Sequence, residues 1–188
     1  TFGLGVTQDR LIERAFLDNH SINILPYETA VVISDIKEAA QIVGYPCVVK
    51  STRRYGEEES IVVIQSEDEV DLAVPLIQQG ACIVESYVSL KKELFLSIGI
   101  NGNGEYSLFP IVEKINNKQG ELKKIKAPID IQELDDSTQN QIKLIARVIA
   151  SELNVSGVVG VEFFINESGN LFVNEISSIA HESSSYSL

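Results

Sequence analysis

Short apolar runs that end on a single charge, or are broken by one, limit what this chain can become. Cys47-Val48-Val49 ends on Lys50, Ala81-Cys82-Ile83-Val84 ends on Glu85, and Ile61-Val62-Val63-Ile64 stands alone. The runs over residues 158–165 and 171–176 are interrupted by Glu162 and Glu175. Runs of about four to eight apolar residues between polar turns have the length of buried strands, far short of the roughly 20 residues of a membrane span.

Segments with helical spacing lie between these runs. Leu11, Ile12, Ala15 and Phe16 predict the apolar face of one helix over residues 8–19. Ile36, Ala39, Ala40 and Val43 predict another, with Ser34 as its N-cap and Gly44 and Pro46 as its stop. Ser66-Glu67-Asp68-Glu69 has capping-box spacing before Val70, Ala73, Val74 and Ile77, and Pro75 is expected to kink that helix or to lie near a break. A last helix over residues 136–153 gathers Ile142, Ile145, Ala146, Ile149 and Leu153. Residues 22–33 read as extended, 93–128 as alternating strands joined by polar turns, and 158–176 as a hairpin. Strands alternating with helices, then a meander, then a helix and hairpin predict an α+β fold with more than one sheet.

At 188 residues the chain can bury a core without a metal or disulfide staple, as one domain or two closely packed lobes. Fifteen Lys and Arg against 27 Asp and Glu give a formal charge of −12, which disfavours nonspecific attraction to nucleic acid or anionic membrane. A phosphate-bearing ligand must then be met by local cations or by Mg²⁺ held on carboxylates. Cys47 and Cys82, each inside an apolar run, with two His in the chain, make neither a disulfide framework nor a zinc site, and a reducing, cytoplasmic compartment is expected. The absence of methionine points to a chain excised from something longer, and no signal-peptide pattern is visible.

Three groups of residues carry candidate chemistry. Glu162 and Glu175, with Asn174 beside the second, put carboxylates inside hydrophobic strands, which costs several kcal/mol unless they are paired or metal-bound. A divalent cation with bound phosphates would resolve their repulsion; the alternative is a pair of glutamates on the solvent face of an edge hairpin. Lys50, at the end of a buried strand, can reach a nucleotide phosphate, or it is a solvated gatekeeper. Glu85-Ser86-Tyr87-Val88 can present main chain to an adenine edge, with Glu93 accepting from ribose hydroxyls, or the segment is a crossing between lobes with incidental acids.

In this order the pieces resemble the ATP-grasp superfamily. Gln8-Asp9-Arg10-Leu11 with Phe16-Leu17, the run from Pro46 to Arg54, Val84 to Val88, Lys92-Glu93-Leu94, and Val173-Asn174-Glu175-Ile176 with His181 resemble, more narrowly, the ATPase subunits of phosphoribosylaminoimidazole carboxylase. The resemblance implies two α+β lobes with the nucleotide site between them: a leading helix over 1–20, a smaller lobe over 21–88 ending at the hinge, and a larger lobe over 89–188. The family's N-terminal and C-terminal domains would be absent. It implies an ATP-dependent ligase that activates bicarbonate as carboxyphosphate and carboxylates 5-aminoimidazole ribonucleotide in purine biosynthesis, commonly as a dimer. Lys50 would then bind ATP phosphate, Glu85, Ser86, Tyr87 and Val88 would form the adenine hinge, and Glu93 would hold ribose. Glu162 and Glu175 would carry Mg²⁺ with help from Asn174, and His181 would contact ligand.

The sequence departs from that family in three places. The phosphate-covering loop, approximately Gly-Tyr-Asp-Gly-Lys-Gly-Gln in the family, is here Tyr55-Gly56-Glu57-Glu58-Glu59-Ser60. Its three carboxylates would repel a triphosphate or else form a solvated loop tip, and only Gly56 remains of the glycines of a phosphate nest. Asn116 stands where the family has a His, and Ile179 to Ser185 lacks an expected Arg. These departures keep open a divergent, noncatalytic nucleotide-binding or interaction module.

Overall fold

The computed structural model describes residues 2–54, 61–116, 122–126, 129 and 134–177. The segment Tyr55 to Ser60, the terminal stretch with Ile179 and His181, and the side chain of Asn116 lie outside what is described.

Two compact units make up the chain, one built from residues 1–7, 16–24 and 89–188, the other from 8–15 and 25–88. In the smaller unit, β1 (Tyr27–Ala30), β2 (Cys47–Ser51), β3 (Ile61–Ile64) and β4 (Cys82–Ser86) form a four-stranded antiparallel sheet in the order β1-β4-β2-β3. Its core joins Val49, Ile64 and Val84 of the sheet to Ile36, Ala40 and Leu76 of the helices. Cys47 and Cys82 are buried, unpaired thiols in this core, and burial pushes the Cys82 thiol up to about 11.

The larger unit centres on the long strand β5 (Leu90–Ile100). It pairs with β9 (Gly157–Asn166) along its length, with β7 (Val112–Asn116) near its start, and with β6 (Tyr106–Leu108) at its end. β8 (Leu122–Lys126) extends β7, and β10 (Leu171–Ser177) closes the other edge in the order β10-β9-β5-β7-β8. Helix α5 (Asp136–Glu152) packs Ile142, Ala146 and Ile149 into a core with Leu94, Val161 and Phe163. Its Asp135 N-cap accepts the Thr138 N–H at 2.8 Å. Gly160 permits β9 to pass close to β5 and β10, since a Cβ there would lie 2.6 Å from the Phe95 ring and 2.9 Å from Ser177 Oγ.

The helical segments differ from the pattern in the sequence. The helix expected over 8–19 is α2 (Arg10–Asn19), and a further helix, α1 (Phe2–Gln8), precedes it. Asp9 separates them because its backbone bridges Arg53 and its carboxylate accepts the Leu11 N–H at 2.8 Å, capping α2. The face of α2 also differs: Ile12 is 40% exposed, whereas Glu13 and Arg14 are 0% and 1% exposed. Only Tyr27–Ala30 of the stretch 22–33 pairs as a strand. Helix α3 (Ile33–Val43) starts one residue before Ser34, because Asp35 reaches back to accept the Val31 N–H at 2.9 Å and the Val32 N–H at 3.1 Å. Of the two placements open to Pro75, the structure has the break and not the kink. A 3₁₀ segment, Glu67–Ala73, gives way to α4 (Val74–Gln79), and Pro75 falls in the first turn of α4, where no N–H is required.

Candidate functional site

In the smaller unit, strand pairing brings the two charged strand ends together. Lys50 Nζ lies 2.5 Å from Glu85 Oε2, and the other Glu85 oxygen accepts from Arg14 Nε at 2.8 Å and Nη2 at 2.5 Å. Arg14 Nη1 donates to Glu13 Oε1 at 2.9 Å, and Arg54 Nη2 donates to Glu13 Oε2 at 2.6 Å. Arg10 donates through Nη1 to the Ser51 carbonyl at 2.7 Å. Burial would push the Glu85 carboxyl up, but the charges of Lys50 and Arg14 and their hydrogen bonds outweigh it and hold Glu85 below the ordinary carboxylate range. Among the described residues, Arg14, Lys50 and Arg54 are paired with the Glu13 and Glu85 carboxylates, and Arg10 is held on the Ser51 carbonyl beside them.

The segment after Glu85 is anchored by its backbone. The Ser86 N–H donates to the Pro26 carbonyl at 3.0 Å and the Tyr87 N–H to the Pro46 carbonyl at 3.3 Å, while Ser86 Oγ donates to the Val43 carbonyl at 3.1 Å. The Glu85 side chain therefore serves the ion network. Tyr87 is half exposed.

The larger unit gathers the remaining candidates on its sheet. Glu162 and Glu175 are register partners on β9 and β10, and a bulge between Val173 and Glu175 sets Asn174 out of register. Asn174 donates through Nδ2 to Glu162 Oε2, and Lys114 donates to Glu162 Oε1. Lys114 Nζ also lies 2.6 Å from Glu93 Oε1, its register partner on β5. Burial opposes the Lys114 charge, but Glu162 and Glu93 together push its pKa up to about 12. Burial also opposes ionisation of Glu162, yet Lys114, Asn174 and Glu93 hold it below the ordinary range; burial and the neighbouring Glu162 charge raise Glu93. Glu162 is only 13% exposed, on a strand flanked by β5 and β10, which removes the reading of it as an edge glutamate facing solvent.

A cavity of about 40 Å³ is lined by Phe95, Glu162, Glu175 and Ser177. Among the described residues no group of three or more His, Cys, Asp and Glu could hold a metal. Two carboxylates and a carboxamide fit Mg²⁺ all the same, because that ion takes one or two carboxylates with phosphate oxygens and water rather than an all-protein cage. Of the residues singled out in the sequence, Lys50 and Glu85 meet in one unit, Glu93, Glu162, Asn174 and Glu175 gather in the other, and His181 lies outside the described residues. Glu13, Arg14 and Lys114 carried no sequence signal strong enough to be named: the first two sit in what reads as the polar face of α2, and Lys114 alternates like any sheet cation.

The fold, with carboxylates on the final hairpin and a lysine closing a buried strand, is that of an ATP-grasp type of domain. The ATP-grasp domain matches residues 15–188, and the chain belongs to that family. Across 183 residues it is 32% identical to N5-carboxyaminoimidazole ribonucleotide synthase of Bacillus subtilis, covering 97% of this chain and 47% of that protein. The crystal structure of N5-carboxyaminoimidazole synthetase from Staphylococcus aureus complexed with ADP superposes with a TM-score of 0.83 at 30% identity, over 97% of this chain and 47% of that one. The corresponding synthetase from Thermus thermophilus gives a TM-score of 0.82 at 25% identity, over 97% and 48%. The chain thus spans about half the length of the relatives it matches.

Proposed function

We propose that this chain is the ATP-grasp part of an enzyme that carboxylates 5-aminoimidazole ribonucleotide with bicarbonate at the expense of ATP. The observation that carries the reading is the Glu162, Asn174 and Glu175 group on the final hairpin. It is supported by the cluster of Lys50 and Arg14 on Glu85 and by the similarity of 97% of the chain to carboxyaminoimidazole ribonucleotide synthases. In the smaller unit, Lys50 serves ATP phosphate, while Val88 and the carbonyls of Glu85, Ser86 and Tyr87 serve adenine. In the larger unit, Glu93 serves ribose, and Glu162 and Glu175 with Asn174 hold Mg²⁺, which when bound neutralises phosphate charge. His181 is carried over as a ligand contact.

The chemistry asks positioning and charge neutralisation of the protein rather than a covalent nucleophile. A bicarbonate oxygen attacks the γ-phosphorus and ADP leaves; the exocyclic amine then attacks the carboxyl carbon of carboxyphosphate and phosphate leaves. Lys50 orients the phosphates, and Arg14 acts through Glu85 to fix Lys50. The reading includes a cytoplasmic setting, consistent with the free buried thiols, and a homodimer, which light scattering checks.

Calorimetry of ADP with Mg²⁺ tests it. Wild type binds, Lys50→Gln weakens binding by at least about tenfold through loss of a charge-assisted contact, and Glu175→Gln removes the Mg²⁺-dependent part; absence of binding by wild type overturns it. A second reading, a noncatalytic nucleotide-binding or interaction module of the same family, is favoured by the Lys114 ammonium seated on Glu162. Bicarbonate-dependent ATP turnover by the full-length protein excludes that reading.

A further inference from the structure

Glu162 already has a cation. Lys114 on β7 reaches past β5 to it, because Lys114 is in register with Glu93 on β5, and Phe95, two residues further on, is in register with Glu162. The ammonium therefore meets Glu93 Oε1 at 2.6 Å and Glu162 Oε1 together. The Asn174 carboxamide takes the other Glu162 oxygen. Both oxygens of this carboxylate are thus engaged by donors, and the ammonium is only 11% exposed, so solvent does little to screen it.

We propose that Lys114 is a resident cation of the carboxylate pair: it performs on Glu162 the neutralisation that a divalent ion would otherwise supply, so that metal is taken chiefly through Glu175 and with lower affinity. A monovalent and a divalent cation crowded onto one half-buried carboxylate repel each other, and the covalently attached one cannot leave. The inference rests on the metal reading of Glu162 and Glu175 given above, and it names the residue that sets how strongly this chain depends on divalent ions.

Calorimetric titration of Mn²⁺ into the nucleotide-free chain tests the assignment. Lys114→Gln is expected to bind Mn²⁺ at least about tenfold more tightly than wild type, and Lys114→Arg, which keeps the charge, to stay within about twofold. Equal or weaker binding by Lys114→Gln overturns the proposal. Should that variant lose its melting transition in metal-free buffer, millimolar Mn²⁺ restores the transition if an ion takes over from the ammonium, and failure to restore it overturns the proposal as well. Fluorescence polarisation of a labelled ADP on wild type reports the nucleotide reading separately. ADP binding without a gain in Mn²⁺ affinity in the variant overturns the role of Lys114 and leaves the nucleotide reading standing.

Discussion

Glu85 carries two cations on one buried carboxylate, Arg14 on one oxygen and Lys50 on the other. Arg14→Met leaves Glu85 with Lys50 and Glu13 with Arg54 but takes a hydrogen-bond donor from each buried carboxylate, so it is expected to cost about 1–3 kcal/mol, read by urea denaturation. The same carboxylate gives the acid limb of stability a definite sign. Its folded pKa lies below the ordinary 4.5, so as pH falls the unfolded chain takes the proton first. The stabilisation is therefore fully present above that ordinary value and is lost as pH falls through the folded one. Glu85→Gln is expected to be less stable at neutral pH and to show a shallower acid limb, measured by denaturant midpoints across a pH series. A wild-type limb no steeper than that of the variant would contradict the ion network.

At the scale of elements, α2 presents a charged face inward. Glu13 and Arg14 are buried because Glu85 and Arg54 wait for them, while Ile12 is left outside. Ile12→Ser is thus expected to change stability by no more than about 0.5 kcal/mol, whereas Leu17→Ala on the buried side should cost about 2–5 kcal/mol, both from thermal melts. In β9, Gly160→Ala should cost about 1–3 kcal/mol through overpacking against Phe95, and Phe95→Leu in the same chain should recover part of it. Periodicity made the strands, α5 and the final hairpin legible, since burial of apolar faces decides those elements. It found α2 but misassigned part of its buried face, because an apolar stripe assumes that charge points to water, and here paired charges take that place. The helix starts at Asp9 and Asp35 depend on single side chains reaching backbone N–H groups, a contact that spacing does not encode. The candidate carboxylates and Lys50 stood out because each breaks an apolar run. Lys114 did not, since only strand register brings it to Glu162.

At the scale of the whole molecule, each unit owns a separate apolar core, one around Ile36 and Val49, the other around Phe163 and Ile149. Chemical denaturation is expected to show two transitions, with Leu76→Ala lowering one midpoint and Ile149→Ala the other; a single transition shifted equally by both would show one cooperative block. Among the described residues no helix is long and apolar enough to cross a membrane. The units are not successive stretches of chain, for residues 8–15 belong with 25–88 while the residues between belong with the rest. That interleaving bears on heredity. A recombination event with its breakpoint just before Leu25 would carry away the sheet with Lys50 and Glu85 but leave behind Glu13 and Arg14, so a gene segment that starts there lacks part of this unit's ion network. Lineages are expected to inherit residues 8–88 as one block, with changes at positions 14 and 85 arising together.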